Sequence, residues 1–282
     1  HRWAQISGSI VTNGTAHFEM YLYLLENGFR FTISLDGDKE IQDKQRPGIG
    51  GVSLHEVVER NVRELAKRTR ITLRPTVSKL GVERSKELID YFCSLGVSNV
   101  YLGDLQEGCG RNGGEYIQGP NRREFVHMVK TFLGREGQGV KVGVTYFPTL
   151  RPHTYYCGAM SGNAITVTPT GDLTACFEAV RPQDDFYEEM KIGKVDEEKR
   201  TLIWYHDKID RFRLRTADNL ASCTDCFAKH TCAGGCAMKA LREQGDVMTV
   251  SQSACEMTKE LTYLFLSGIY KQSKERSLSI LK

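Results

Sequence analysis

From residue 9 to residue 105 the chain alternates short apolar, β-branched runs with longer stretches whose apolar positions recur every three or four residues. SIVTNGT (9–15) predicts a strand and a turn, AHFEMYLYLLENG (16–28) a helix closed by Gly28, and FRFTISLDG (29–37) a buried strand ending in a polar, Gly-terminated turn. LHEVVERNVRELAKRT (54–69) puts Val57, Val58, Val62 and Leu65 on one side of a helix. ITLRPTVSK (71–79) reads as the next strand, ERSKELIDYFCSLGV (83–97) as the next helix and SNVYLGDL (98–105) as another strand. Strand and helix thus repeat at intervals of about 30 residues, the size of one βαβ step, which predicts a parallel α/β sheet or part of a (β/α) barrel.

In such folds function collects at the C-terminal ends of the strands. The residues predicted there are Thr12 and Asn13, Ser34 and Asp36, Arg74 and Thr76, and Asp104. These small polar, acidic and guanidinium groups suit a ribose, a carboxylate and an amine. Taken singly, each is equally well read as a turn residue or a helix cap.

A Gly-rich loop, EGCGRNGGEYIQGPNRREF (107–125), opens a helix and VKVGVTYFPTL (140–150) follows; the rhythm then stops near Pro152. Two domains are expected, 1–150 and 151–282. In the second, AITVTPTGDLTAC (164–176) predicts a β-hairpin turning at Thr170 to Asp172 and ending in Cys176. RTLIWYHDKIDRFRL (200–214) predicts a helix, and CEMTKELTYLFLSGIYKQSKE (255–275) predicts a closing helix.

Composition changes this picture little. The chain has 282 residues, of which 40% are hydrophobic and 26% charged, ordinary values for a globular protein with ample core. The net charge of +3 is spread along the chain, so there is no electrostatic case for nucleic acid. The cluster RFRLRTADNL (Arg211, Arg213, Arg215) reads as a solvated helix face. No apolar run reaches 18 residues, so no membrane span is predicted, and no signal peptide is visible. The chain starts HRWAQISGSI, without methionine and almost at once in a strand and turn, which reads as part of a longer polypeptide.

Nine cysteines change it more. An odd number without a secretion signal disfavours a disulfide framework. Cys157 and Cys176 flank the hairpin; Cys223-x2-Cys226-x5-Cys232-x3-Cys236 forms one run, and Cys255 follows alone. Zinc is the plain competitor, since Cys-x2-Cys is a common knuckle and a second pair would complete a four-cysteine site. Runs of closely spaced cysteines are more typical of iron–sulfur ligation, where one cysteine can serve a neighbouring cluster. Gly234 and Gly235 in CAGGC would let backbone amides approach sulfide. Cys93, in ELIDYFCSLG, reads as a packed core thiol, and Cys109 falls in the Gly-rich loop.

The register Cys157-x13-Gly171-x4-Cys176, then the quartet, then Cys255, resembles the SPASM domain of radical S-adenosylmethionine (SAM) enzymes. The first half agrees independently: VTNGT, SLDG, IQDKQR and LRPTV resemble the third strand end, the fourth, the segment after it and the fifth of that family's barrel. The resemblance covers essentially the whole chain. It implies a partial (β/α) radical SAM barrel lacking its first strands, followed by a small cysteine-rich α+β SPASM domain with a β-hairpin.

What the resemblance implies for the chemistry is specific. Cys223, Cys226, Cys232 and Cys255 would hold one auxiliary [4Fe–4S] cluster, and Cys157, Cys176 and Cys236 a second. Gly162 and Asn163 stand where some relatives have a further cysteine, so the second cluster would have an open iron or a ligand such as His153. The motif CxxxCxxC, whose three thiolates hold the cluster that binds and cleaves SAM to a 5′-deoxyadenosyl radical, is absent from these residues. The chain as given is therefore expected to be inactive, with SAM and a third [4Fe–4S] cluster belonging to an intact parent. In that parent, Ser34 and Asp36 would face the SAM ribose or carboxylate, Arg74 its carboxylate, and Thr12 and Asn13 would line the same mouth.

Members of the family mostly modify peptides or proteins. A peptide or protein substrate, an electron donor such as flavodoxin or ferredoxin and a cytoplasmic, anaerobic setting are the implied partners and place. Sulfatase maturases carry an acid directly after the cysteine matching Cys176; here Phe177 is next and Glu178 one further. On a strand that step would turn Glu178 to the opposite face, which favours peptide maturation over the sulfatase reading and leaves Glu178 a weak candidate base. An anaerobic sulfatase-maturase-like enzyme and a non-catalytic zinc or iron–sulfur binding module are the alternatives.

Overall fold

The computed structural model describes residues 8–105, 117–134, 140–146 and 152–280. The chain divides into two compact units, His1–Thr145 and Tyr146–Lys282.

In the N-terminal unit, β1 (Ser9–Thr12) leads into α1 (Phe18–Glu26) and β2 (Arg30–Ile33). Then come α2 (Lys39–Gln45), α3 (His55–Ala66), β3 (Thr72–Leu73) and β4 (Thr76–Val77). The unit ends with α4 (Lys79–Glu83), α5 (Ser85–Ser94), β5 (Asn99–Asp104), α6 (Arg122–Leu133) and β6 (Lys141–Val144). The six strands form one parallel sheet in which β2 lies between β1 and β3, and β5 pairs with β3, β4 and β6.

Two features of this sheet are informative. Thr72 pairs with Asn99 and Thr76 with Gly103 at the same offset, so β3 and β4 are two pieces of one line along β5. The break is Arg74–Pro75, where proline has no N–H to donate to the ladder. The Pro75 carbonyl still accepts from Gly103 N at 3.1 Å. Neighbouring strands therefore follow chain order, as in a sector of a (β/α) barrel, without the reversal that marks a doubly wound sheet.

The helices are amphipathic in the way the sequence predicts. Val58, Val62 and Leu65 of α3, Leu88, Ile89 and Phe92 of α5, and Phe125, Val129 and Phe132 of α6 are buried with Phe31, Ile33, Leu73, Val100 and Leu102 of the strands. Each fully buried side chain of this size contributes about 1.5–3 kcal/mol. Helix α6 begins at a reciprocal capping box: Asn121 accepts from Glu124 N, and Glu124 accepts from Asn121 N.

The C-terminal unit opens with α7 (Gly158–Ser161) and the hairpin β7 (Thr166–Val167) and β8 (Asp172–Thr174). Then follow α8 (Tyr187–Met190), β9 (Lys191–Asp196), β10 (Thr201–Trp204) and α9 (His206–Arg213). The last elements are α10 (Lys229–Cys232), α11 (Ala237–Gln244) and α12 (Gln252–Ile280). The antiparallel sheet runs β10–β9–β8–β7.

The predicted hairpin is present, but its second strand stops at Thr174, two residues before Cys176. The helix expected over 200–214 starts only at His206; Thr201–Trp204 is a strand paired with β9. The apolar pair Leu202–Ile203 fits either period over so short a run, and pairing with β9 decides it. The closing helix begins at Gln252, earlier than expected, where Ser251 Oγ accepts from Ala254 N at 3.2 Å. Among the described residues no helix is long and apolar enough to cross a membrane.

Candidate cluster sites and the strand-end mouth

The strand ends come first. Ser34 N donates to Thr12 O at 2.9 Å and Arg74 N to Ile33 O at 2.9 Å, so these residues stand side by side at one edge of the sheet. Arg74 is exposed, and its charge is felt by Tyr101, whose hydroxyl is pushed up chiefly by burial and drawn slightly back by this guanidinium. Thr12 Oγ1 accepts from Gly14 N at 3.2 Å, and Asn13 Oδ1 accepts from Thr15 N at 3.2 Å and from Thr15 Oγ1 at 2.9 Å. Both therefore shape the turn after β1, as short polar side chains do.

Asp36 differs from the expectation that it faces SAM. It is 2% exposed, and its carboxylate is filled by this chain's own donors. Oδ2 accepts from Arg46 Nε at 2.7 Å and Gln45 Nε2 at 2.9 Å; Oδ1 accepts from Thr76 N at 2.8 Å and Arg46 Nη2 at 3.2 Å. A buried carboxylate needs such pairing, and here it ties the end of β2 to α2 and β4.

The cysteine loop is built by a sequence of tight turns. A 3-10 turn at Ala221–Cys223 and one turn of helix at α10 bring Cys223, Cys226 and Cys232 close in space. Ala233, Gly234 and Gly235 all have positive φ, of 51°, 80° and 70°, reversing the chain before Cys236. At Gly234 a Cβ would lie 2.3 Å from Leu220 Cδ1, so glycine is required there by space as well as by φ. Gly235 N donates to the Cys232 carbonyl at 3.3 Å, so this amide is already used within the turn. Cys236 stands at the N-cap position of α11; burial raises its thiol, and the Met238 and Lys239 backbone N–H groups draw it partly back.

Cys223, Cys226, Cys232, Cys236 and Cys255 line one cavity, walled also by Gly234, Gly235, Ala254, Thr258 and Lys259. Burial pushes the Cys232 thiol up to about 11, with Cys255, Cys223 and Cys226 adding to it. Burial likewise raises Cys223 and Cys255. The Cys176 thiol is pushed up to about 11 by burial, with Glu178, Cys236 and Cys157 adding to it. Five thiols thus surround the cavity, and one of them, Cys236, also acts on Cys176 together with Cys157, so it joins two overlapping neighbourhoods.

Donor set and arrangement fit polynuclear iron–sulfur groups. Seven cysteines of this unit are free of disulfides, and five of them are spread around the walls of one cavity, as suits a cluster in which each iron takes one thiolate. Among the described residues no three or more His, Cys, Asp or Glu side chains converge closely enough to hold a single ion.

Other expected residues find plainer places. Residues 176–179 form a turn, with Ala179 N donating to Cys176 O at 3.1 Å, so strand alternation does not govern Glu178. Its carboxylate pairs with Arg242 at 2.7 Å, and its backbone N–H points at Cys176. His153 N donates to the His230 carbonyl at 2.9 Å. Cys93 is half-buried on α5, and Cys109 lies outside the described residues.

One residue was misjudged from the sequence. Arg211 and Arg213 are surface residues paired with Asp246 and Asp210, as the solvated-face reading expects. Arg215 is instead 1% exposed and among the largest fully buried side chains. The helix α9 ends at Arg213, so the periodicity that would have carried Arg215 to the surface no longer applies. No local signal marks it.

Residues 157–227 match the SPASM domain, an iron–sulfur cluster-binding domain, and the chain has the fold of the radical SAM/SPASM maturases. Among solved structures, histidine-tagged anSMEcpe with bound AdoMet matches at a TM-score of 0.73 and 18% identity, covering 96% of this chain and 73% of that one. Streptococcus suis SuiB bound to S-adenosylmethionine matches at 0.55 and 14%, covering 89% and 60%. By sequence the chain is 25% identical over 242 residues to the serine-type anaerobic sulfatase-maturating enzyme of Klebsiella aerogenes. That match covers 82% of this chain and spans 58% of the length of the relative.

Proposed function

We propose that this chain belongs to a radical SAM enzyme that modifies a side chain of a peptide or protein, and that its C-terminal unit holds two auxiliary [4Fe–4S] clusters. The observation that carries this reading is the gathering of seven free thiols, five of them around a single cavity and one of those five, Cys236, also beside Cys176 with Cys157. Cys223, Cys226, Cys232 and Cys255 would ligate one cluster, and Cys157, Cys176 and Cys236 the other.

When bound, such clusters supply one-electron transfer or a site where substrate is anchored. The protein's own share is positional. The αL run at Ala233 to Gly235 sets Cys232 and Cys236 on opposite sides of one reversal, so the two thiol sets share a rigid loop. The N-terminus of α11 offsets part of the burial that raises the Cys236 thiol. In the N-terminal unit, Arg74, Ser34, Thr12 and Asn13 form the polar mouth for SAM, with Arg74 the partner for its carboxylate. Asp36 acts indirectly there, holding Arg46 and Thr76 in place.

The relatives support a maturase. One is a sulfatase-maturating enzyme, and the anSMEcpe and SuiB structures include forms with bound Cp18Cys peptide and bound precursor peptide SuiA. A peptide or protein is therefore the proposed substrate class, and a small one-electron carrier protein the proposed electron source. Glu178, paired with Arg242, would have to leave that partner before it could take a proton.

The test is anaerobic reconstitution of the full chain, with iron, acid-labile sulfide and zinc counted per monomer and EPR spectra of the reduced sample. Iron and sulfide of about eight each are expected, at about four per cubane. Tightly held zinc without labile sulfide overturns the reading in favour of a zinc-binding module.

A further inference from the structure

Arg215 sits where an arginine is expensive. It is 1% exposed, and no carboxylate is paired with it among the described residues. Its Nη2 donates to the Gly234 carbonyl at 3.0 Å and to the Gly235 carbonyl at 3.4 Å. Its Nε and Nη1 are buried with no hydrogen-bond partner among the described residues. Asp246 feels its charge without contacting it, and a buried guanidinium left with two unpartnered nitrogens and no carboxylate in contact is unfavourable.

The surroundings indicate what would compensate it. The carbonyls that hold Nη2 belong to the loop between Cys232 and Cys236, and Nη1 lies 3.6 Å from where a Gly234 Cβ would be. Cys236, Cys223, Cys157 and Cys232 all act electrostatically on the guanidinium, countering the effect of its burial. Those four residues come from both thiol neighbourhoods. The arginine is thus inside the cysteine loop, among cysteines of both sets, with Nε and Nη1 unpartnered among the described residues. Guanidinium is planar and weakly hydrated, and it keeps its charge when buried, so it suits a permanent anionic partner.

We propose that Arg215 is a cation shared by the two auxiliary clusters, donating its Nε and Nη1 hydrogens to cluster sulfide or ligand sulfur and raising the reduction potential of both. The inference rests on the cluster assignment above. Hydrogen bonds and positive charge at cluster sulfurs favour the reduced, more anionic state. Protonated thiols without clusters would leave the guanidinium uncompensated, so the residue also favours loaded over empty protein.

The experiment uses the full chain, anaerobically reconstituted, as wild type, Arg215→Lys and Arg215→Met. Iron and sulfide are counted first: a wild type without about eight of each fails the cluster reading itself, whatever Arg215 does. In loaded protein, EPR-monitored redox titration should show both auxiliary signals shifted to more negative potential in Arg215→Met. In Arg215→Lys, which keeps the charge without the fork, a smaller shift is expected. Unchanged potentials in fully loaded Arg215→Met overturn the proposal, and a shift confined to one cluster overturns the sharing. A variant that fails to load is bypassed by pulsed EPR on wild type carrying 15N-guanidino arginine. A 15N coupling to the reduced auxiliary clusters is expected, and its absence overturns the proposal.

Discussion

In the N-terminal unit the buried residues are mostly Ile, Leu, Val and Phe, supplied alternately by parallel strands and by helices such as α3, α5 and α6. In the C-terminal unit the main apolar cluster is thinner: Ala175, Ala179 and Ala237 and Met160, Met190 and Met238 make up six of its eleven buried members. Beside it lie seven thiols and a buried arginine. Small and flexible side chains bury less area and specify position less firmly than branched ones. The cysteine loop is where a bound metal group would add a cross-link to this unit. The first unit is held by packing, the second by packing plus whatever its sulfurs bind.

The largest break in that contrast should come from iron removal. Stripping metal anaerobically from reconstituted protein should collapse hydrogen-exchange protection around 217–262 while β2, β5 and α6 stay protected, because metal affinity and folding are coupled. Equal protection of both units before and after chelation would end the distinction. Next comes the reverse operation. Phe92 is fully buried, with its ring 6.3 Å from that of Phe132, and Phe92→Ala should cost about 3–5 kcal/mol in urea titrations, with iron content unchanged.

Asp36→Ala tests the polar part of the same unit. It leaves Arg46, Gln45 and the Thr76 amide without their acceptor and should cost about 3 kcal/mol, at the low end for a broken buried pair because Arg46 retains some solvent contact. The smallest effect lies in the C-terminal unit and in acid. Asp184 is held down to about 2 by the Arg181 guanidinium and the Val180 and Arg181 amides. A depressed carboxyl stabilises the fold fully above its unfolded value of about 3.9 and loses that contribution as pH falls through 2. Asp184→Asn should therefore flatten the acid side of the stability–pH curve between these values and leave neutral-pH iron content unaltered.

Much of the N-terminal unit was legible in the chain. The pattern Val58, Val62, Leu65 and the strand runs 30–33 and 99–104 carry their periods in local sequence, and those periods are what the sheet and helices bury. In the C-terminal unit the turn at Gly171 and the cysteine spacing were equally local. β9 and the start of β10 were not, because short runs such as TLIW suit either period until a partner strand is supplied. Strand parity was extended past Thr174 to Glu178, and it failed because the chain turns there.

What the sequence determined by itself is the inventory: which residues can be donors, in what order, and with what local reversals, since spacing and glycine placement act within a few residues. What only the tertiary structure decided is the company each side chain keeps. Asp36 and Arg215 both look like exposed polar residues in the sequence, yet one is filled by Arg46, Gln45 and Thr76, and the other is sealed among cysteines from distant parts of the chain. Burial and counter-charge are set by neighbours distant in the chain, and for a charged group those two quantities decide its role.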